Sequence, residues 1–199
     1  MARLTREESQ ALTRAKLLNC APQVVAKEGF AGASIDKITE AAGFSKGAFY
    51  SNFASKEEFF LELLERHAGQ DVVDIGQLLR GVSEPEEIIA KVSSWSEERA
   101  TDPVWGILPI ELFQHARREA TFTSRHATLF REQWRKVGEM LMPLAPNWPG
   151  SEPEFLGAMV LELTYGSASS FSEGKGPSVG DLVRFALNSV RLAYAAKTG

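Results

Sequence analysis

Lys46, Ser51 and Asn52 stand close together in the sequence, with Gly47 and Ala48 between them. An ammonium, a hydroxyl and an amide so placed can hydrogen-bond base edges or phosphates, and the small residues let a nucleic-acid backbone approach closely. The elements that would present them are two short helices about a tight turn over residues 34–56. Ser34 can cap the first, because its hydroxyl accepts from the orphan N–H groups of a first turn. Ile35, Ile38 and Ala42 repeat at helical spacing as its inward face. Gly43 supplies the left-handed stop, and Ser45 can cap the second helix. Lys46, Gly47, Ala48, Ser51 and Asn52 then face outward, while Phe49 and Phe53 return to the core.

The run Gly43-Phe44-Ser45-Lys46-Gly47-Ala48-Phe49-Tyr50-Ser51-Asn52-Phe53, followed by Ser55-Lys56-Glu57-Glu58, resembles the N-terminal domain of the tetracycline-repressor (TetR) family. The likeness extends back through Ala42 to Ser34, Gly29-Phe30, Ala21 and Lys16-Leu17-Leu18, and the remaining two thirds of the chain carry no comparable signature. It implies that Ser34, Tyr50 and Lys56 hold phosphates, with Lys56 at the start of a long helix joining two domains. It also implies that Ser45, Lys46, Gly47, Ala48, Ser51 and Asn52 face the major groove. A phenol and an ammonium at either end of a short helix can clamp a phosphate backbone without reading sequence, which agrees with those roles. Two departures bear on geometry. Pro22 falls inside the first expected helix, where it removes one hydrogen bond and predicts a kink. Phe44 stands at the turn, where the family has a smaller aliphatic residue, and predicts tighter packing on the first helix.

The chain has 199 residues, 44% of them hydrophobic, enough for a small N-terminal module and a larger second domain. Its net charge of −4 is unevenly spread: residues 1–56 hold eight Lys or Arg against five Asp or Glu, whereas residues 57–199 hold fourteen against twenty-one. A basic module on an acidic body favours phosphate locally and limits adhesion elsewhere. We therefore expect a DNA-binding domain over 1–56 and an effector-binding and dimerisation domain over 57–199. Arg3 and Arg6 could extend the basic surface as an arm or fray as a solvated terminus. A lone cysteine, Cys20, lies among Leu17, Leu18 and Val24 and reads as an inert thiol. With no leader and no membrane-length apolar run, a cytoplasmic protein is expected.

Beyond Lys56 the pattern is helical throughout. The connecting helix runs towards Leu79 and is interrupted by Gly81 and Pro85. Further helices are expected near 85–100, 104–117, 123–142, 153–172 and 178–196, with breaks at Asp102-Pro103, Arg118 to Thr121, Pro143 to Pro153 and Glu173 to Pro177. The expected fold is all-α with about nine helices: a three-helix helix-turn-helix domain, a long helix, and a helical C-terminal domain.

Trp95, Trp105, Phe113, Phe122, Phe130 and Trp134, backed by Met140 and Met142, could line an apolar pocket or simply fill a helical core. The resemblance implies a small-molecule effector, with Glu111, Gln114, His115 and Tyr165 as polar contacts. Its binding would splay the recognition helices and lower DNA affinity. Phe155, Met159, Leu163 and Gly166 repeat along one C-terminal helix, and Leu182, Phe185, Ala186 and Val190 along the next. Such stripes suit either a core or a four-helix dimer interface. Family dimers use these two helices, which implies a homodimer reading a palindromic operator.

An enzyme is the competing class. Glu111, His115 and Glu119 share one helix face, which suits metal binding or acid–base work. No catalytic triad, Gly-rich phosphate loop or Cys cluster accompanies them, and His67 and His126 stand isolated, so neither catalysis, nor a metal, nor a cofactor is expected. A helical protein-interaction module without DNA binding is the other alternative. The sequence reads best as a sequence-specific DNA-binding regulator, a repressor released by a small molecule.

Overall fold

The computed structural model describes residues 5–102, 120–146, 152–166 and 176–198, with side chains from 127 onward in the second stretch and up to 196 in the last. Trp105, Glu111, Phe113, Gln114, His115 and Glu119, and the expected helix at 104–117, lie outside the described residues, as does the side chain of Phe122.

The described residues form eight α-helices and one 3-10 turn, Met142–Leu144, without strands. They are α1 (Arg6–Gly32), α2 (Ile35–Ala42), α3 (Lys46–Tyr50), α4 (Lys56–Leu78), α5 (Pro85–Ala100), α6 (Ala120–Leu141), α7 (Pro153–Gly166) and α8 (Val179–Thr198). α6 already includes Ala120 and Thr121, so the break expected to end at Thr121 is helical in that part.

Local chemistry sets the N-terminal boundaries. Thr5 opens α1 with a capping box, its hydroxyl accepting from the amide of Glu8 while the Glu8 carboxylate accepts from the amide of Thr5. Ser34, Ser45 and Ser55 repeat half of that device, accepting from the amides of Lys37, Ala48 and Glu58 at 3.3, 3.2 and 3.1 Å. Each such cap contributes on the order of 1 kcal/mol. Gly43 closes α2 at φ 73° and ψ 32°, a left-handed conformation that costs a side-chain-bearing residue about 1–2 kcal/mol. The interruption in α1 is at Gly29 (φ 69°, ψ 165°), not at Pro22, which keeps helical angles. A residue without Cβ absorbs the reversal more cheaply than a ring already pre-set for helical φ.

Two cores divide the chain. Leu17, Leu18, Ile38, Phe49, Phe53, Phe59, Phe60 and Leu64 belong to the first, so the opening turns of α4 pack with the three N-terminal helices. Phe44 packs partly on that core, and the Lys16 ammonium of α1 lies 5.9 Å from its ring centre. Ile75, Ile88, Val92, Val137, Leu141, Val160, Val183 and Leu187 belong to the second. α6 reaches both cores: Leu129 and Phe130 lean on the first, Trp134 and Val137 on the second.

α6 and α7 cross at two glycines. A Cβ on Gly157 would stand 1.8 Å from the Trp134 carbonyl oxygen, and one on Gly138 would stand 1.6 Å from that of Pro153. α8 is anchored at its start by Glu97 of α5, whose carboxylate accepts from the amide of Gly180 at 2.7 Å. No helix among the described residues is long and apolar enough to cross a membrane.

Candidate nucleic-acid interface

α3 is a single capped turn and a half standing on an aromatic floor. Phe49 and Phe53 are buried, and Phe59 of α4 meets them edge-on or tilted at 5.3 and 4.8 Å between ring centres. With those rings inward, Ser45, Lys46, Gly47, Tyr50 and Ser51 are exposed and Ala48 is half-buried. Tyr50 keeps 56% of its surface in solvent while its ring packs edge-on against Phe49, leaving an anchored phenol at the rim.

Two expected contacts are engaged within the protein. Lys46 Nζ lies 2.7 Å from Asp36 Oδ1 of α2, and that carboxylate raises the lysine's pKa. Lys56 opens α4, yet its ammonium turns back to donate to the Phe30 carbonyl at 3.2 Å, over the Phe30 and Phe60 rings. Burial lowers its pKa accordingly.

Asn52 departs from the outward face expected of it. It is half-buried, its amide donates to the Ala48 carbonyl at 2.8 Å, and its Oδ1 is buried without a hydrogen-bond partner. Ser51 likewise donates to the Ala48 carbonyl, at 2.9 Å. Ser34 spends its lone pair on the cap of α2. Beside α3 opens a cleft of about 310 Å³ lined by Arg6, Ser9, Gln10, Thr13, Ala48, Ser51 and Asn52. Arg6 is therefore the first residue of α1 and not part of a free arm.

A second constellation lies within the C-terminal bundle. Asp71 of α4 is fully buried, and its carboxylate accepts from the Tyr165 hydroxyl of α7 and from Gln133 Nε2 of α6 at 3.3 Å. Arg99 of α5 pairs with it at 2.7 Å, reaches Asp74 at 3.1 Å, and stacks 5.6 Å from the Trp95 ring centre. His67 Nε2 stands 3.2 Å from the Tyr165 hydroxyl. Burial raises the Asp71 carboxyl to about 6 against the pull of Arg99, while burial and the Arg99 charge lower His67 to about 3. Burial and the neighbouring Asp71 hold the Tyr165 phenol well above its ordinary range.

His67 is thus not isolated as the sequence suggested. Of the expected effector residues, Trp95 and Tyr165 join this cluster, Trp134 packs on the second core, and Phe130 lies 6.3 Å from the Trp134 ring centre. Asp71, Arg99 and Gln133 were missed; an aspartate amid the apolar stripe of α4 was the one available signal.

On the C-terminal helices, Phe155 and Phe185 are 61% and 75% exposed, and Leu192 is 61% exposed. Met159, Leu163, Leu182 and Ala186 are half-buried, and Gly166 is exposed with open space where a Cβ would stand. Val190, expected at the interface, is buried in the second core of this chain, because it shares an inward stripe with Val183 and Leu187.

A capped helix-turn-helix on a phenylalanine core, joined by one long helix to a helical bundle, defines the class of helix-turn-helix proteins. Residues 17–63 match the model for "Bacterial regulatory proteins, tetR family". The chain is 38% identical over 78 residues to the HTH-type transcriptional activator FasR of Mycolicibacterium smegmatis, covering 39% of this chain and 34% of FasR. It is 32% identical over 101 residues to the HTH-type transcriptional repressor AcnR of Corynebacterium glutamicum, covering 47% of this chain and 54% of AcnR. The matched stretches thus span between a third and about half of these curated relatives. The crystal structure of a TetR-family regulator from Mesorhizobium loti superposes with a TM-score of 0.71 at 20% identity, over 98% of each chain. The N-terminal domain is thus similar to that of tetR-family bacterial regulatory proteins over residues 17–63, and the fold of the chain is that of the Mesorhizobium loti protein.

Proposed function

We propose that this protein is a homodimeric, cytoplasmic transcriptional regulator, a repressor that binds a palindromic operator and is released by a small-molecule effector, and that it is not an enzyme. The observation that carries the reading is α3: small, capped, fixed on buried rings, and presenting Lys46, Gly47, Tyr50 and Ser51 to solvent. In this reading residues 1–56 engage double-stranded DNA, with Ser45, Lys46, Gly47, Ala48, Ser51 and Asn52 towards the major groove and Ser34, Tyr50 and Lys56 towards phosphates. Lys46, Lys56 and Asn52 would then exchange internal partners for DNA, so binding is coupled to local rearrangement.

Residues 57–199 would dimerise and sense. The exposed Phe155, Phe185 and Leu192 supply apolar surface that a second copy can cover. The polar cluster around Asp71 ties α4 to α5, α6 and α7, so a ligand that rearranged it would bias the tilt of α4. The repressor sign follows AcnR, which is named a repressor, whereas FasR is named an activator.

The test is duplex binding across a salt series, comparing the protein with Lys46→Ala and Tyr50→Ala. The reading expects affinity that falls steeply with salt, a slope shallower by roughly one for Lys46→Ala, and weaker binding with an unchanged slope for Tyr50→Ala, whose phenol carries no charge. Absence of duplex binding at low salt would overturn it and favour a protein-interaction module.

A further inference from the structure

One side chain joins three elements beneath the recognition turn. Arg14 of α1 reaches α4, where its Nε donates to Glu62 Oε1 at 2.9 Å and its Nη2 to Glu62 Oε2, a two-pronged fork. Its third nitrogen, Nη1, donates to the carbonyl of Asn52, just past the end of α3. The guanidinium also lies over the ring of Phe53, 4.1 Å from its centre. A cation there meets the negative end of the short helix, and the planar fork satisfies two acceptors while stacking on a third surface. Lysine, a single point charge, could not hold all three. Each of its three nitrogens thus has a partner inside the protein, which engages three of the five N–H donors.

We infer that Arg14 is a positioning residue for DNA reading: it fixes the end of the recognition turn to the connecting helix, so that α3 follows α4. This rests on the proposed role of α3 in DNA reading. Glu62 and Asp71 lie on the same helix, nine residues and hence about 14 Å apart. A tilt of α4 set at the Asp71 cluster is thereby delivered, through Glu62 and Arg14, to the carbonyl of Asn52. The rows of buried phenylalanines hold α3 down, but rings can slide; the fork sets its register.

The test uses Arg14→Lys and Glu62→Gln in the full-length protein, with two readouts. The first is discrimination between the protein's selected operator and the same duplex with one half-site changed, measured across a salt series. Arg14→Lys should lose discrimination at least tenfold, and adding Glu62→Gln to it should lose little more. A further variant that removes the charge, Arg14→Gln, should lose as much with an unchanged salt slope. A slope reduced by about one in Arg14→Gln would make Arg14 a direct phosphate contact and overturn the inference, as would unchanged discrimination in Arg14→Lys. The second is amide hydrogen exchange without DNA. Arg14→Lys should speed exchange at least fivefold at Ser51 to Phe53 while leaving α2 unchanged. Equal protection at Ser51 to Phe53 would overturn the positioning role even if the wild-type protein proved not to read DNA, an outcome that would count separately against the proposed function.

Discussion

Lys46 Nζ lies 2.7 Å from Asp36 Oδ1, so the only cation of α3 is held by a carboxylate of α2 on the same exposed surface. Both side chains are more than half exposed, which makes the pair a weak one that a phosphate can replace. Asp36 also brings a negative charge to the surface that approaches DNA in the proposed function. Asp36→Ala should therefore tighten binding to all duplexes, by roughly three- to tenfold at low salt, and steepen the salt slope by about one. Fluorescence anisotropy on specific and scrambled duplexes checks this. A gain confined to one sequence would mean that Asp36 reads bases and does not merely restrain Lys46.

The buried pair His67 and Asp71 gives opposed pH dependences. His67 is lowered to about 3 in the fold, so the unfolded chain takes its proton first, and stability falls as pH drops below the ordinary histidine range near 6.5. Asp71 is raised to about 6, so the fold takes its proton first, and stability rises as pH drops from there towards 4. Replacing His67 by Gln, which can still reach Tyr165, leaves the Asp71 contribution alone. Relative to wild type, the variant should gain about 2 kcal/mol on moving from pH 8 to pH 5, read by urea denaturation at each pH. A pH-independent difference would mean that His67 titrates normally.

Phe185 is exposed enough that Phe185→Asp should fold normally. In the dimeric account the variant sediments as a monomer, binds a palindrome at least tenfold more weakly, and binds an isolated half-site unchanged. A dimer that persists would move the interface away from this face of α8.

Gly157 packs where no side chain fits, since its Cβ would overlap the Trp134 carbonyl at 1.8 Å. Gly157→Ala should cost about 3 kcal/mol or more and lower Tm by on the order of 10 °C. Gly166→Ala, on the same helix with open space around it, should leave Tm within a few degrees. Calorimetry on both separates close packing from helix propensity.

These contrasts mark what local sequence can carry. The serine caps at 34 and 45, the stop at Gly43 and the inward Phe49 and Phe53 act within a turn or two, and each stands as its spacing suggests. Helix boundaries at Lys56 and Pro85 were legible for the same reason. Arg14 with Glu62, and Asp71 with Arg99 and Tyr165, are brought together only by tertiary packing, and no spacing rule announces them. Val190 shows the limit from the other side: a stripe of apolar residues reveals a helix face, not which partner covers it. Pro22 predicts a kink by its own cost, whereas the chain bends at Gly29, where bending is cheaper.

The most direct measurement is selection of random duplex DNA by the purified protein at moderate salt, followed by sequencing of the bound pool. The account predicts one enriched palindrome with half-site centres about one helical turn apart, and loss of that enrichment in the Lys46→Ala, Tyr50→Ala double variant. A bound pool without any shared motif, or no retained DNA, would contradict a sequence-specific dimeric regulator.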